Sequence, residues 1–490
     1  KVSVKMLSDK FNPMYGKGTT ITAQSKLQAN SATALTIERE VGDQLGADVR
    51  TISRSGAPGI GSAMFIRGLN SLNANAQPLV VVDGVPQDMQ YSRIGLHMGD
   101  FNNQLLNFNP ADIEDVTVLK NGTAIYGAKG ANGVILINTK RGHSLATRIE
   151  ANVGMGVSLV PRLPEMMNAS EYRNYATELL GGVDYTQNDY TKIPFNFLND
   201  DKNGYYYQMY HNDTDWSKEV YHTAITQNYS LNVQGGDNVG MYNLSLGYTD
   251  GQSTARKNRF NRLNIRFNSD FTITKRLTTQ FDMDYVKLTR DVFDDGASSD
   301  FTQGTVTSPA FLGLIKAPFL NPYEYNNVTG QFSETLADAD DYLSRAGSNL
   351  SLANPTAILV NGYGKNKNRV ENTLFHARIA PTYKFAEGFT LTESVNYTLN
   401  RNSQRYYRPV GGVPTFYIDG MGTVQNQSAS LFAKEETLMS DTRLRFARQF
   451  GAHSLDVFGG FRYTGFEFEA NQPSGQNQSG GNDKTPNISS

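Results

Sequence analysis

Three kinds of side-chain grouping in this sequence could do chemistry: a glycine-rich run, oxygen-rich acidic loops and clustered tyrosines. Gly56-Ala57-Pro58-Gly59-Ile60-Gly61 has the composition of a loop that cradles phosphate on its backbone N–H groups. Its spacing is not G-x-G-x-x-G and no Gly-Lys-Ser/Thr follows, so it reads as pliant backbone leading into a strand. Asn199-Asp200-Asp201-Lys202-Asn203-Gly204 has the oxygens and the sixth-position Gly of a calcium loop. The twelfth position is Tyr210 rather than the bidentate Glu, which leaves an ordinary polar loop. Asp294-Asp295 and Asp338, Asp340 and Asp341 are acidic clusters that either take a cation or stay hydrated. The 6 histidines show no metal spacing, and His211 and His222 are too far apart for one helical turn. There is no Gly-x-Ser-x-Gly elbow and no His-Glu-x-x-His. A cysteine count of 0 removes thiol catalysis, thiolate metal sites and disulfides together. The chain reads as no enzyme, with no metal and no cofactor.

What is left is recognition. Tyr205, Tyr206, Tyr207, Tyr210 and Trp216 cluster within one loop, and aromatic faces stack on sugar rings or pack on peptide side chains. The alternative is that they pack the loop itself or a partner. Arg67 and Asp83 each precede a glycine at a strand end. They either pair locally or join ionic contacts that hold this region against its surroundings.

The elements that position these groups come in two styles. Up to about residue 143 the sequence suggests a small α/β unit. Ile37, Val41 and Leu45 have helical spacing and stop at Gly46. Short apolar runs follow at Met64-Phe65-Ile66, Leu79 to Val82, Ile113 to Leu119 and Val134 to Ile137. Asp83-Gly84 and Asn121-Gly122 are expected as tight turns with Gly at positive φ. After Arg148, apolar and polar residues alternate. Ile225, Tyr229, Leu231 and Val233 interleave with Thr226, Asn228, Ser230 and Asn232; Leu263, Ile265 and Phe267 interleave with Arg262, Asn264 and Arg266. A period of two puts an oily, aromatic set on one face and a polar set on the other.

About nine such segments occur, near 148–158, 224–234, 240–250, 260–272, 276–290, 369–384, 388–401, 437–450 and 453–468. Connections alternate between long (159–223, 291–368, 402–436) and very short, the rhythm of an outer-membrane barrel with short turns inside and long loops outside. Composition agrees. No run of about 18 apolar residues offers a transmembrane helix, while 26 Tyr, 26 Phe and 45 Gly suit strands with an aromatic outer face. The 45 basic and 47 acidic residues give a net charge of −2, so nothing points to nucleic acid. Within the long loops, Asn168 to Leu180 reads as a helix, and the residues from Asn471 as loop or disorder.

The chain resembles the SusC/RagA-type TonB-dependent transporters of Bacteroidetes outer membranes. The resemblance runs through Gly56, Pro58 and Gly59, Phe65-Ile66-Arg67-Gly68 and Pro78 to Pro86 with Asp83-Gly84. It continues through Asn109-Pro110-Ala111-Asp112-Ile113-Glu114, Val118-Leu119-Lys120, Ala124-Ile125-Tyr126-Gly127 and Ala131-Asn132-Gly133-Val134-Ile135. It implies a mainly β protein, with an α/β plug domain at 1–145 followed by antiparallel transmembrane β-barrel strands at 146–490. It implies import of an oligosaccharide or oligopeptide, with a SusD-like surface lipoprotein above and TonB pulling from the periplasm. Two features depart from the pattern. Asn121-Gly122-Thr123 is shorter than the usual Ala-rich stretch, and residues 1–20 carry no clear TonB box, although Val2, Val4 and Met6 could serve. These departures motivate an alternative: a non-transporting structural subunit of a larger outer-membrane complex.

Length sharpens the expectation. A plug of about 140 residues needs the width of a 22-stranded barrel, and nine strands are well under half of that. The wall is therefore expected as an open, C-shaped sheet, and the chain as a plug plus the first part of a barrel.

Overall fold

The computed structural model describes residues 23–25, 35–71, 73–87, 89, 95–100, 103–143, 145–181, 196–198, 200–295, 306–339, 351–418 and 422–476. Seven short strands come first: β1 (Ala23–Ser25), β2 (Arg50–Ser53), β3 (Ser62–Phe65), β4 (Leu79–Val82), β5 (Val85–Gln87), β6 (Ile113–Leu119) and β7 (Val134–Thr139). Five form one sheet in the order β1-β6-β7-β4-β5. β6 and β7 are buried along almost their whole length, which is why they read as continuous apolar runs rather than alternation. Helix α1 (Ile37–Leu45) lays Ile37, Val41 and Leu45 into the same core as Val80, Val116 and Ile135. The Met64 run departs from expectation: β3 pairs with β2 in a separate hairpin, although Met64 and Ile66 still reach that core. Asp83 (φ 47°) and Gly84 (φ 84°) make the tight β4–β5 turn as expected. Asn121-Gly122 does not. Gly122 has φ −100° and precedes helix α2 (Thr123–Tyr126), and glycine is needed there because a Cβ would lie 2.3 Å from Val134 Cγ2.

The second part is one long antiparallel sheet. Its strands are β8 (Arg148–Ser158), β9 (Ala224–Gly236), β10 (Gly240–Gln252), β11 (Arg259–Thr272) and β12 (Leu277–Asp291). A hairpin of β13 (Tyr323–Asn326) and β14 (Gln331–Leu336) stands apart in the next loop. The wall resumes with β15 (Arg369–Ala386) and β16 (Phe389–Arg408), and a second hairpin, β17 (Phe416–Ile418) with β18 (Gly422–Val424), interrupts it. β19 (Gln427–Phe450), β20 (His453–Asn471) and the short β21 (Ser474–Gln476) complete the described strands. The wall order is β20-β19-β16-β15-β12-β11-β10-β9-β8, with β21 alongside β19. Each of the nine expected segments is a strand of it. β8 and β20 are the two edges, so the described wall is open. Two strands are longer than their expected segments: β16 runs to Arg408 and β19 begins at Gln427, since pairing continues past the apolar band.

Register sets the faces. Directly opposed pairs such as Leu246↔Ile265 and Tyr248↔Leu263 lie on the outside. Outward Ile149, Val153, Met155 and Val157 of β8 are exposed, whereas inward Asn232, Asn243, Arg262, Asn264, Asn268 and Asp282 are buried. At the short-turn end, Phe385, Phe389 and Phe446 form an outward aromatic row, with ring centroids 5.5 and 4.5 Å apart, as barrels place at a membrane interface. Among the described residues no helix is long and apolar enough to cross a membrane. The long loops carry α3 (Ala169–Gly181), α4 (Tyr207–Tyr210), α5 (Trp216–Val220), α6 (Pro309–Ile315) and α7 (Pro355–Asn361). α3 matches the expected helix. The residues expected as loop from Asn471 hold β21, and those after Gln476 lie outside the described residues.

Candidate functional site

The polar inner face of β10, β11 and β12 is buried because the N-terminal unit sits on it. Near the long-loop end, β12 supplies Arg290. Its guanidinium grips Asp100 through two hydrogen bonds of 2.6 and 2.8 Å and donates to the Gly59 carbonyl at 3.0 Å. The two side chains are only 2% and 4% exposed. Gly59 has φ 75°, and a Cβ there would sit 2.1 Å from the Phe260 ring of β11. Of the glycines in the 56–61 run, Gly59 is thus fixed by close approach of the wall, whereas a Cβ on Gly56 would meet nothing. Pro58 packs across from Gly251 of β10. A Gly59→Ala variant combines left-handed strain with a clash against Phe260, and should lose about 1–2 kcal/mol or more of plug stability. Thermal melting of this variant beside Gly56→Ala, which should be near neutral, checks it.

Lower down, Asp83 reaches the wall rather than pairing only within its own unit. Its carboxylate accepts from Thr139 N at 3.0 Å, Thr139 Oγ1 at 2.8 Å and Arg266 of β11 at 3.2 Å. Arg266 also meets Asp284 at 2.6 Å. Arg141 bridges to Asp270 at 3.1 Å and Asp282 at 2.7 Å, and Asn268 Nδ2 donates to the Lys140 carbonyl at 2.9 Å. Arg67 behaves differently: with Gly68 it forms an exposed turn at φ 62° and 88° and makes no ion pair among the described residues. The remaining motif residues serve the plug itself. Tyr126 packs on the Val81–Leu136 cluster, and Gly127 takes φ 59° and ψ −145°. Asn132 donates to the Asn75 carbonyl at 2.8 Å. Gly133, at φ 89°, leaves no room for a Cβ beside Ile66.

Between these levels lies a buried polar layer. Arg262 donates to the carbonyls of Leu35 and Leu106, each at 3.0 Å. Asn107 accepts from Asn264 at its carbonyl and from Asn372 at its side chain, both at 2.7 Å. Glu38 accepts from Asn103 and Asp112 from Ser245. Burial pushes both carboxyls above the ordinary carboxylate range, despite those donors and the Arg262 and Arg266 charges. A carboxyl with a raised native pKa favours its protonated form in the docked plug. Its contribution is therefore least unfavourable below the ordinary carboxylate pKa and grows costlier as pH rises through the native value. Glu38→Gln should flatten this part of the pH dependence and raise the melting temperature more at pH 8 than at pH 5. An unchanged profile would sink the assignment to Glu38.

The long loops answer the question about the aromatic cluster by dividing it. Tyr210 and Trp216 are buried, in a small core with Phe197, Phe319 and Leu320, and Trp216 Nε1 donates to the Ala317 carbonyl at 2.9 Å. Their burial fits the packing alternative for these two residues. Tyr207 stacks on His211 at 3.8 Å between centroids. Tyr205 and Tyr206 are exposed, edge to face at 5.0 Å. In the calcium-like loop Asp200 binds Arg173 at 2.5 Å and His211 at 3.1 Å, and the His211 hydrogen bond holds its carboxyl below the ordinary range. Asn199 lies outside the described residues, as do Asp340 and Asp341. Asp294 accepts from Met98 N at 2.9 Å and from Thr307, while Asp338 accepts from Gly412 N at 2.7 Å. Among the described residues no group of three or more His, Cys, Asp or Glu side chains is placed to hold a metal. A cleft of about 430 Å³ opens above the plug, between Pro58, Tyr221, Arg256, Arg290 and Asp295.

Asp100 and Arg290 went unnoticed in the sequence, where 190 residues separate them. The available signal was that a charged residue recurs at inward positions of the alternating strands.

Residues 22–134 match the family model of the TonB-dependent receptor plug domain. The chain is 33% identical over 244 residues to the TonB-dependent receptor SusC of Bacteroides thetaiotaomicron, covering 49% of this chain and 21% of that protein. It is 26% identical over 447 residues to the TonB-dependent receptor P3 of Formosa agariphila, covering 91% and 36%. In fold it aligns with a chain of the RagAB peptide importer in its "open-open" state at a TM-score of 0.70 and 21% identity, covering 97% and 50%. This chain thus spans about half the length of that neighbour and a smaller share of the curated relatives.

Proposed function

We propose that this chain, a SusC/RagA-like TonB-dependent receptor in its plug and wall, forms the plug (about 1–145) and first strands (146–490) of an outer-membrane importer. The membrane is that of a Gram-negative, Bacteroidetes-type bacterium. The outward apolar face meets lipid, and the short turns face the periplasm. The long loops face outward, under a SusD-like lipoprotein that hands in an oligosaccharide or oligopeptide. TonB pulls on the N-terminal segment; Val2, Val4 and Met6 lie outside the described residues.

One observation carries this reading: the plug is clasped to the wall by reversible side-chain contacts, Arg290–Asp100, Arg266–Asp83 and Arg141–Asp282. With no cysteine in the chain, no covalent bond locks it. Force along the barrel axis can break such pairs in sequence, and they re-form when it is released. Exposed Tyr205 and Tyr206 are the residues assigned to contact with substrate or lipoprotein. Growth on oligosaccharide and oligopeptide pools, compared between TonB-competent and TonB-deficient strains, tests the reading. Uptake should be lost without TonB; unchanged uptake would favour the structural-subunit alternative.

A further inference from the structure

Strand β16 differs from the clasped wall. Its inward positions are the even residues, as the Ser394 contact with Arg378 and the buried Asn396 establish. From Thr390 to Gln404 every one of these positions is Thr, Ser, Asn or Gln. The inward faces of β11 and β12, by contrast, carry Arg262, Arg266, Asp270, Asp282, Asp284 and Arg290. Inner face β10 is also uncharged, but the plug covers it: Ser245 donates to Asp112, and Gly247 lies against Asn109. Among the described residues, the plug caps the long-loop end of the β16 ladder, where Leu96 N donates to Gln404 at 3.1 Å. Towards the periplasm a cleft of about 470 Å³ separates the Asp83–Val85 turn from the wall, and Thr390, Thr392, Ser394 and Asn396 line it.

We infer that the inner face of β16 is the rail along which the substrate crosses, a clause that rests on the import reading above. The side chains recur about 6.8 Å apart, twice the rise of an antiparallel strand. Each offers a neutral donor or acceptor, and Arg378 of β15 with Asp441 and Arg443 of β19 line the same cleft beside them. Binding that is weak and repeated lets a polar oligomer enter and leave. The class served is therefore a polar chain rich in hydroxyls or amides. The strand bordering the cleft, β5, is an edge of the plug sheet and only three residues long. Swinging the β4–β5 turn off Arg266 widens the cleft while the sheet core stays folded.

The absence of cysteine allows a direct test in the full-length protein in living cells. Single cysteines at Thr392, Asn396 and Asn400 are compared with Thr249→Cys, inward on β10, using a membrane-impermeant maleimide added outside. Labelling of the β16 cysteines should rise several-fold in TonB-competent over TonB-deficient cells, with Thr249→Cys unchanged. TonB-dependent labelling that is equal on β10 and β16 would overturn the rail and leave import standing. No TonB dependence at any position would overturn both. A charge on the rail, Asn396→Asp, should slow growth on neutral oligosaccharides several-fold without lowering the melting temperature; unaltered growth would also count against it.

Discussion

Replacing Arg290 by alanine should weaken the docked plug by about 3–5 kcal/mol, the usual cost of stripping one partner from a buried ion pair. The size follows from what is left behind. Asp100, 4% exposed, loses both of its charge-assisted hydrogen bonds, and the Gly59 carbonyl loses its 3.0 Å donor. Phe260, Leu106 and Leu288 close the layer beneath, so only the cleft above the pair can supply water to the stranded carboxylate. The companion variant separates charge from packing. Arg290→Met together with Asp100→Leu removes both desolvated charges and should recover much of the loss, since well-packed apolar pairs often match a buried ion pair. Thermal unfolding and hydrogen exchange over 95–100 read both effects. A change within about 0.5 kcal/mol for Arg290→Ala, as for an ordinary surface substitution, would show that the pair is not a latch.

That latch also marks the limit of what the sequence discloses. The nine wall strands were legible because a sheet with one apolar and one polar face forces strict alternation, and a one-residue slip would turn every side chain to the wrong face. Their outer ends were not, since Gln427 to Glu436 pair beyond the apolar band with no change in local pattern. The plug sheet was legible as apolar runs, but nothing local told that β3 would leave for a hairpin with β2, or that β4 would run parallel to β7. Asp83 showed itself through its turn with Gly84, yet its wall partner Arg266 is 183 residues away. Aromatic clustering was visible and its burial was not, because packing against Phe319 depends on a second loop about a hundred residues later. Residue type announced the chemistry available, and only the fold decided which partner each group met.

The sharpest consequence of that second loop is the expected behaviour of Trp216→Ala. The segment 212–214 pairs with 318–320 through Asn212 N to the Phe319 carbonyl at 3.2 Å and Thr214 N to the Pro318 carbonyl at 2.8 Å. Trp216 seals that junction, 3% exposed, while Phe319 stacks flat on Phe197 at 4.8 Å and meets Tyr210 edge-on at 6.0 Å. Truncating the indole leaves a cavity at that junction and strands the Ala317 carbonyl, so the two loops should lose about 3–5 kcal/mol of mutual stability. Hydrogen exchange should accelerate together in 207–220 and 309–320, with the wall strands unaffected. Tyr205→Ala and Tyr206→Ala, which remove exposed rings, should leave both segments within about 0.5 kcal/mol of the parent. If they reduce lipoprotein or substrate binding all the same, recognition resides on the two exposed tyrosines, and Trp216 serves by holding rigid the loop that presents them. Unchanged exchange in Trp216→Ala would sink that division of labour, since the loop would then owe its order to something other than its buried aromatic core.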